Sequence, residues 1–176
     1  MNRTELETKL NNDFAWMLET WSALSSEDRN RDLKASSADP EFFWTAQDHL
    51  VHLAGIETVF NHIIRRAVAG EANPIQLFEA KPDGSRPSRE EIMARVHELN
   101  DVWVRQHRGK SFDEIVALNQ KVRAETLALL TELSDDQLQQ KIPGAPWADG
   151  TVGGVMGVNG DHARQHYGWI TRDLAN

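Results

Sequence analysis

Apolar residues recur at spacings of three and four along most of this chain, the period of one face of an α-helix. Leu6, Leu10, Phe14, Met17 and Trp21, with Leu18 beside them, mark a first helix running to about Ser25. Thr4 and Glu7 have the spacing of a capping box at its start. Ser26 to Pro40 is polar and reads as a connection, with Asp39-Pro40 as a boundary. A second helix is expected from Thr45, capped with Asp48, to about Ala69, where Gly70 stops it. Leu50, Leu53, Ile56, Val59, Phe60, Ile63 and Ile64 give it a wide buried face. Glu71 to Pro87, with Pro74, Pro82 and Gly84, reads as a long loop.

Ser88 and Glu91 cap a third helix whose apolar side is Ile92, Val96, Leu99 and Trp103. That helix ends between Gln106 and Gly109, and Ser111 with Glu114 caps the next run. Ile115, Leu118, Val122, Leu129 and Leu133 form its stripe. A short turn or helix follows from Ser134, then a loop from Pro143 to Gly150 carrying Trp147. The last segment begins at Thr151, and Gly153, Gly154, Gly157 and Gly160 leave its first turns uncertain as helix. If those turns are helical, the glycines let a neighbour come close. No stretch has the alternation of a strand. The sum is an all-α fold, an up-and-down bundle of four main helices with a broken third element and a short extra helix.

The chemistry concentrates in the last segment. Val152, Val155, Asn159, His162, His166 and Trp169 fall on one helical stripe, widened by Met156, Ala163 and Ile170. His162 and His166, in His-Ala-Arg-Gln-His, stack one above the other on the inward face. Buried polar groups without partners cost about 1–3 kcal/mol each. A metal ion satisfies both rings at once, whereas two core histidines bonded to backbone carbonyls or carboxylates would satisfy them separately. Two ligands do not make a site. His49 and His52 both lie on the inward face of the second helix, and periodicity does not choose between them. His52 together with His162 and His166 would give three imidazoles and one open position, the arrangement in which a metal activates bound water near neutral pH.

Composition removes several alternatives. The chain has 176 residues, enough for one domain spanning 1–176, and no cysteine, which excludes disulfides, thiolate zinc sites and a cysteine nucleophile. Absence of cysteine also fits a cytoplasmic location. The net charge of -8, with no Lys/Arg run, argues against a nucleic-acid partner. The polar N-terminus is no signal peptide, and no apolar run is long enough to span a bilayer. There is no HExxH, no GxSxG, no glycine-rich phosphate loop, and no Glu followed three residues later by His.

Three segments resemble the DinB/YfiT-like superfamily, with its DfsB/ClbS-type and mycothiol-dependent maleylpyruvate isomerase-like branches. They are WTAQDHLVHLAGIE (Trp44 to Glu57), Ser111 to Leu138, and PWADGTVGG followed by HARQH. Each motif is degenerate, and their order and spacing are more specific. The resemblance implies a histidine triad at His52, His162 and His166, choosing His52 over His49. It further implies a divalent metal such as nickel or zinc, a low-molecular-weight thiol in some branches, a homodimer, and hydrolysis or thiol-dependent transfer or isomerisation of a small molecule. Four further residues are candidates for the surroundings of the site. Asp48 would orient an imidazole or only cap its helix, and Asn159 would face the open position or only bridge helices. Trp44 and Trp147 would wall a substrate pocket or only pack. Gly55 stands where relatives often carry a bulkier residue, which would enlarge the pocket near His52. The alternative to an enzyme is a bundle that binds or sequesters a small molecule without chemistry.

Overall fold

The computed structural model describes residues 1–34, 39, 41–76, 81 and 83–176. Its helices are α1 (Arg3–Ser22), α2 (Ser26–Asn30), α3 (Ala46–Val68), α4 (Arg89–His107), α5 (Phe112–Glu132), α6 (Asp135–Gln139), α7 (Val152–Gly157) and α8 (Asn159–Leu174). No strand occurs among the described residues, where one antiparallel bridge, Lys141 to Thr151, closes the loop before α7. The fold is all-α.

Local signals set most helix starts. Thr45 and Asp48, Ser88 and Glu91, and Ser111 and Glu114 each form the expected reciprocal capping box. The first helix is capped two residues before the expected position, at Asn2. Asn2 accepts the Glu5 N–H and Glu5 accepts the Asn2 N–H, both at 2.9 Å, so this pair takes the role assigned to Thr4 and Glu7. The polar connection after α1 contains one short helix, α2, capped by Ser25. Pro40 of the expected boundary and Pro82 of the expected loop lie outside the described residues.

Successive long helices alternate in direction. The Trp21 Nε1–H bonds the Ala46 carbonyl at 2.7 Å, which fixes the end of α1 to the start of α3 and makes them antiparallel. Trp103 bonds Val51 while Arg108 pairs with Asp48, so α4 runs back along α3. The expected break in the third element is a full reversal through Gly109, at φ +94, where glycine avoids the left-handed penalty. In α5, Asn119, Arg123 and Thr126 face Leu50, Glu57 and Asn61 in order, so α5 runs parallel to α3. The closing helix α8 returns antiparallel to α3 and alongside α1. The bundle core is therefore α1, α3, α5 and α8, with α4 packed outside α3.

The interior has two apolar clusters. Leu6, Leu10, Ile63, Ile64, Leu129, Leu130, Val152 and Met156 belong to one, near the end of α3. Met17, Trp21, Trp44, Leu50, Leu53, Ala163 and Ile170 belong to the other, near its start. A buried polar layer lies between them. Glu57 accepts from Arg123 at 3.0 Å, from Asn159 at 3.0 Å and from Thr126 at 2.6 Å, and Asn61 bonds Thr126 at 2.9 Å.

Two expected core positions are on the surface. Val59 and Leu99 are 48% and 52% exposed. Because α4 packs chiefly on α3 among the bundle helices, its buried line is Asp101 and Val104, and Leu99 turns to solvent. Asp101 is buried because it accepts the Trp44 indole N–H at 3.0 Å. The helix α8 meets α1 at Gly160. A Cβ there would come within 2.0 Å of Asp13 Oδ2, and Asp13 pairs at 2.8 Å with Arg164 of the His-Ala-Arg-Gln-His run.

Candidate metal centre

The α3–α8 register brings His49 and His52 against His162 and His166. One ring nitrogen from each of His52, His162 and His166 lies within 4.8 Å of the others. Within this trio His166 Nε2 lies 2.9 Å from His162 Nε2. The ring of His52 sits 4.9 Å from that of His166 and 5.3 Å from that of His162, centroid to centroid. His52 and His166 are 4% and 3% exposed, while His162 is partly exposed, so the cluster reaches the surface on the His162 side.

Burial holds all these rings neutral. Desolvation, reinforced by the nearby His162, lowers His49 from 6.5 to about 3. Burial lowers His162 to about 4. His52 and His166 are pushed well below the ordinary range, first by burial and then by neighbouring imidazoles. A neutral imidazole presents one nitrogen lone pair, the form in which histidine binds metals. Two nitrogens 2.9 Å apart can both lie about 2.0–2.1 Å from one ion. The donor set therefore fits a divalent transition metal.

Of the residues expected around the triad, Trp44 is at the site. Its indole packs on His49 and His52, with centroids 5.3 and 5.1 Å away, and is 2% exposed. The Asp48 carboxylate accepts the Thr45 N–H at 2.9 Å and pairs with Arg108, the helix-start role. Asn159 donates to the Leu53 carbonyl at 3.2 Å and to Glu57 at 3.0 Å, so it bridges α8 to α3 within the polar layer. The structure does not bring Trp147 to the histidines. It packs edge-on against Phe60, centroids 5.0 Å apart, on the other apolar cluster, because its loop joins α6 to α7 at that end of the bundle. Gly55 opens no pocket. The Trp103 indole fills the notch, 2.7 Å from where a Cβ would stand, and its N–H bonds the Val51 carbonyl at 2.9 Å.

Two contacts go beyond the sequence-based expectations. His49 Nδ1 lies 2.6 Å from His166 Nδ1, so His49 is part of the cluster rather than an alternative to His52. Trp169 packs on His166 at 4.6 Å. The signal for Trp169 was its place three residues after His166 on the same stripe. The shared inward face of His49 and His52 was visible, but not which ring each would meet.

Helical bundles that carry a ligand build its site from side chains on facing helices, and here imidazoles from two helices converge inside a four-helix core. The sequence profile of the DinB superfamily matches residues 13–170, and the chain belongs to that superfamily. No curated protein matches it by sequence. Among solved structures it is similar to an uncharacterised protein of Escherichia coli UTI89, with a TM-score of 0.62 and 16% identity over 98% of this chain and 95% of the other. The colibactin self-resistance protein ClbS, in complex with double-stranded DNA, has a TM-score of 0.67 and 14% identity over 99% and 96%. A Streptococcus pneumoniae protein has a TM-score of 0.64 and 15% identity over 99% and 92%. At these identities the likeness is one of fold.

The ClbS complex overturns the expectation of no nucleic-acid partner, since a chain with this fold is seen on duplex DNA. Net charge sums over the whole surface, whereas phosphate contact depends on where individual cations stand. Here a cleft of about 390 Å³ is lined by His107, Arg108 and Lys110 together with Asp32 and Asp48, and Arg108 is paired with Asp48. Among the described residues, no helix is long and apolar enough to cross a membrane.

Proposed function

We propose that this chain is a metal-dependent enzyme that acts on a small molecule by hydrolysis or thiol-dependent transfer, with His52, His162 and His166 holding one divalent ion, nickel or zinc. The observation that carries the reading is the convergence of three neutral ring nitrogens within 4.8 Å at the partly exposed His162 edge. Three ligands leave a position open in the usual four-coordinate site. A divalent ion held there supplies Lewis-acid activation of a water or thiol. Trp44 and Trp169 flank the rings, exclude water from their buried side and fix their planes. His162, on the open side, is the ligand nearest an arriving substrate. Imidazole suits zinc, nickel, copper and iron, so the donor set alone leaves the choice of ion to supply.

The test is elemental analysis of purified protein beside His52→Ala and His166→Ala. About one divalent ion per chain in the parent, lost in both variants, is the expected result. No metal in the parent after incubation with zinc and nickel overturns the reading and favours a bundle that binds small molecules without chemistry. A substrate screen with metal present and removed then separates metal-dependent chemistry from binding alone, and adding or omitting a low-molecular-weight thiol separates hydrolysis from thiol transfer. Duplex DNA belongs in that screen, because ClbS, a neighbour in fold, is seen bound to it.

A further inference from the structure

His166 has both ring nitrogens engaged: Nε2 faces His162 at 2.9 Å and Nδ1 faces His49 Nδ1 at 2.6 Å. A neutral imidazole carries one proton, so one of these nitrogens is a donor and the other a lone pair. For Nε2 to offer a lone pair toward His52 and His162, the proton must sit on Nδ1. His49 is where that proton goes. We infer that His49 is a positioning residue: its Nδ1 accepts the Nδ1–H of His166 and so holds His166 in the tautomer whose Nε2 can bind a metal. The inference rests on the metal-centre reading above and adds to it a fourth histidine that is not a ligand.

The surroundings suit this role. His49 is 1% exposed and wedged by Trp44, with ring planes 75° apart, which limits rotation of the imidazole. The ring of His166 also packs against Trp169, with centroids 4.6 Å apart. Partners on the distal nitrogen of a ligating histidine fix its tautomer and orientation, and losing them typically costs 10–100-fold in metal affinity. Carboxylates, carbonyls and waters are the common partners. A second buried imidazole serves equally, provided its facing nitrogen is unprotonated. The three-residue spacing of His49 and His52 on α3 then has a physical reason. The two rings lie on one helical face, and the register against α8 sends one to the ligand atoms and the other to the back of His166.

The experiment uses the full chain with histidine labelled in nitrogen-15, and zinc alone as the probe. Three forms are compared: the parent, His49→Phe and His49→Asn. Phenylalanine keeps the ring volume and removes the acceptor, and asparagine returns an acceptor oxygen near the lost Nδ1. In the metal-free parent, His166 is expected to carry its proton on Nδ1. Zinc should move one nitrogen each of His52, His162 and His166, and leave the nitrogens of His49 in the range of a free imidazole. Chelator competition should show zinc binding weakened about 10–100-fold in His49→Phe and restored to within a few fold in His49→Asn. Parental zinc affinity in a folded His49→Phe overturns the inference. So does an Nε2 proton on His166 in the parent, or a zinc-shifted nitrogen on His49, which would make it a ligand. If His49→Phe does not fold, the parent spectra and His49→Asn decide. If the parent binds no zinc, the metal-centre reading fails, and the metal-free spectrum still decides whether His49 sets the tautomer.

Discussion

Two buried polar clusters sit about a helical turn apart in this bundle, and they solve the problem of burial differently. The polar layer closes on itself electrically. Glu57 faces Arg123 at 3.0 Å, with side chains only 8% and 6% exposed, Thr126 and Asn159 also donate to the Glu57 carboxylate, and Asn61 bonds Thr126. The histidine cluster is four neutral rings, bonded pairwise along His49, His166 and His162, without an opposing charge among those bonds. A closed ion pair resists any added charge. A set of neutral lone pairs has room for a cation. The first cluster therefore reads as architecture that sets the α3–α5 register, and the second as the candidate site.

The largest expected effect falls on the closed cluster. Arg123→Leu leaves the Glu57 carboxylate buried without its cation and should destabilise the metal-free protein by about 3–5 kcal/mol in urea unfolding. Zinc affinity should stay within a few fold of the parent. A loss of zinc binding in a folded Arg123→Leu would show that the two clusters act as one. Next comes acid. The unfolded chain protonates its imidazoles near 6.5, whereas folded His49 and His162 wait until about 3 and 4. The unfolded state thus holds more protons below 6.5, and the stability from these two rings is complete above 6.5 and falls as pH drops toward 4. The slope should reach up to about 3 kcal/mol per pH unit for the two rings together, measured as thermal unfolding of metal-free protein. A flat profile between pH 6.5 and 5 would mean that the rings are already open to solvent.

Zinc at a hundredfold over its Kd should stabilise the parent by about 2.7 kcal/mol and stabilise neither His52→Ala nor His166→Ala. Equal stabilisation of either variant would move the site away from the triad. The smallest effect is expected at Gly55→Ala, which forces the Trp103 indole out of its notch. Overpacking of this kind costs about 1–3 kcal/mol, visible in unfolding and in tryptophan fluorescence. Unchanged zinc affinity in that variant would sharpen the comparison by showing that the strip of α3 between the clusters only packs.

What was legible in the sequence was local or periodic. The capping boxes at Thr45, Ser88 and Ser111 were readable because a cap is a contact between residues three apart. At α1 two such patterns overlap, Asn2 with Glu5 and Thr4 with Glu7, and nothing local ranks them. The His162 and His166 pair was readable because helix geometry alone stacks residues four apart. Trp147 was misplaced because a loop residue has no period, and its position follows from which end of the bundle the α6–α7 loop closes. Leu99 was misplaced because apolar spacing marks a stripe without saying that a neighbour covers it.

By itself, then, the sequence determined that the chain is helical, where most helices begin, and which helix faces are apolar, since backbone hydrogen bonds and side-chain period act over a few residues. The register between helices was a tertiary decision. It brought His52 to His162 and His166 and His49 Nδ1 to His166 Nδ1, filled the Gly55 notch with Trp103, and set Glu57 against Arg123. Each of those contacts joins residues at least 48 positions apart in the chain, as Gly55 and Trp103 are, and only the packing of whole helices brings such residues together.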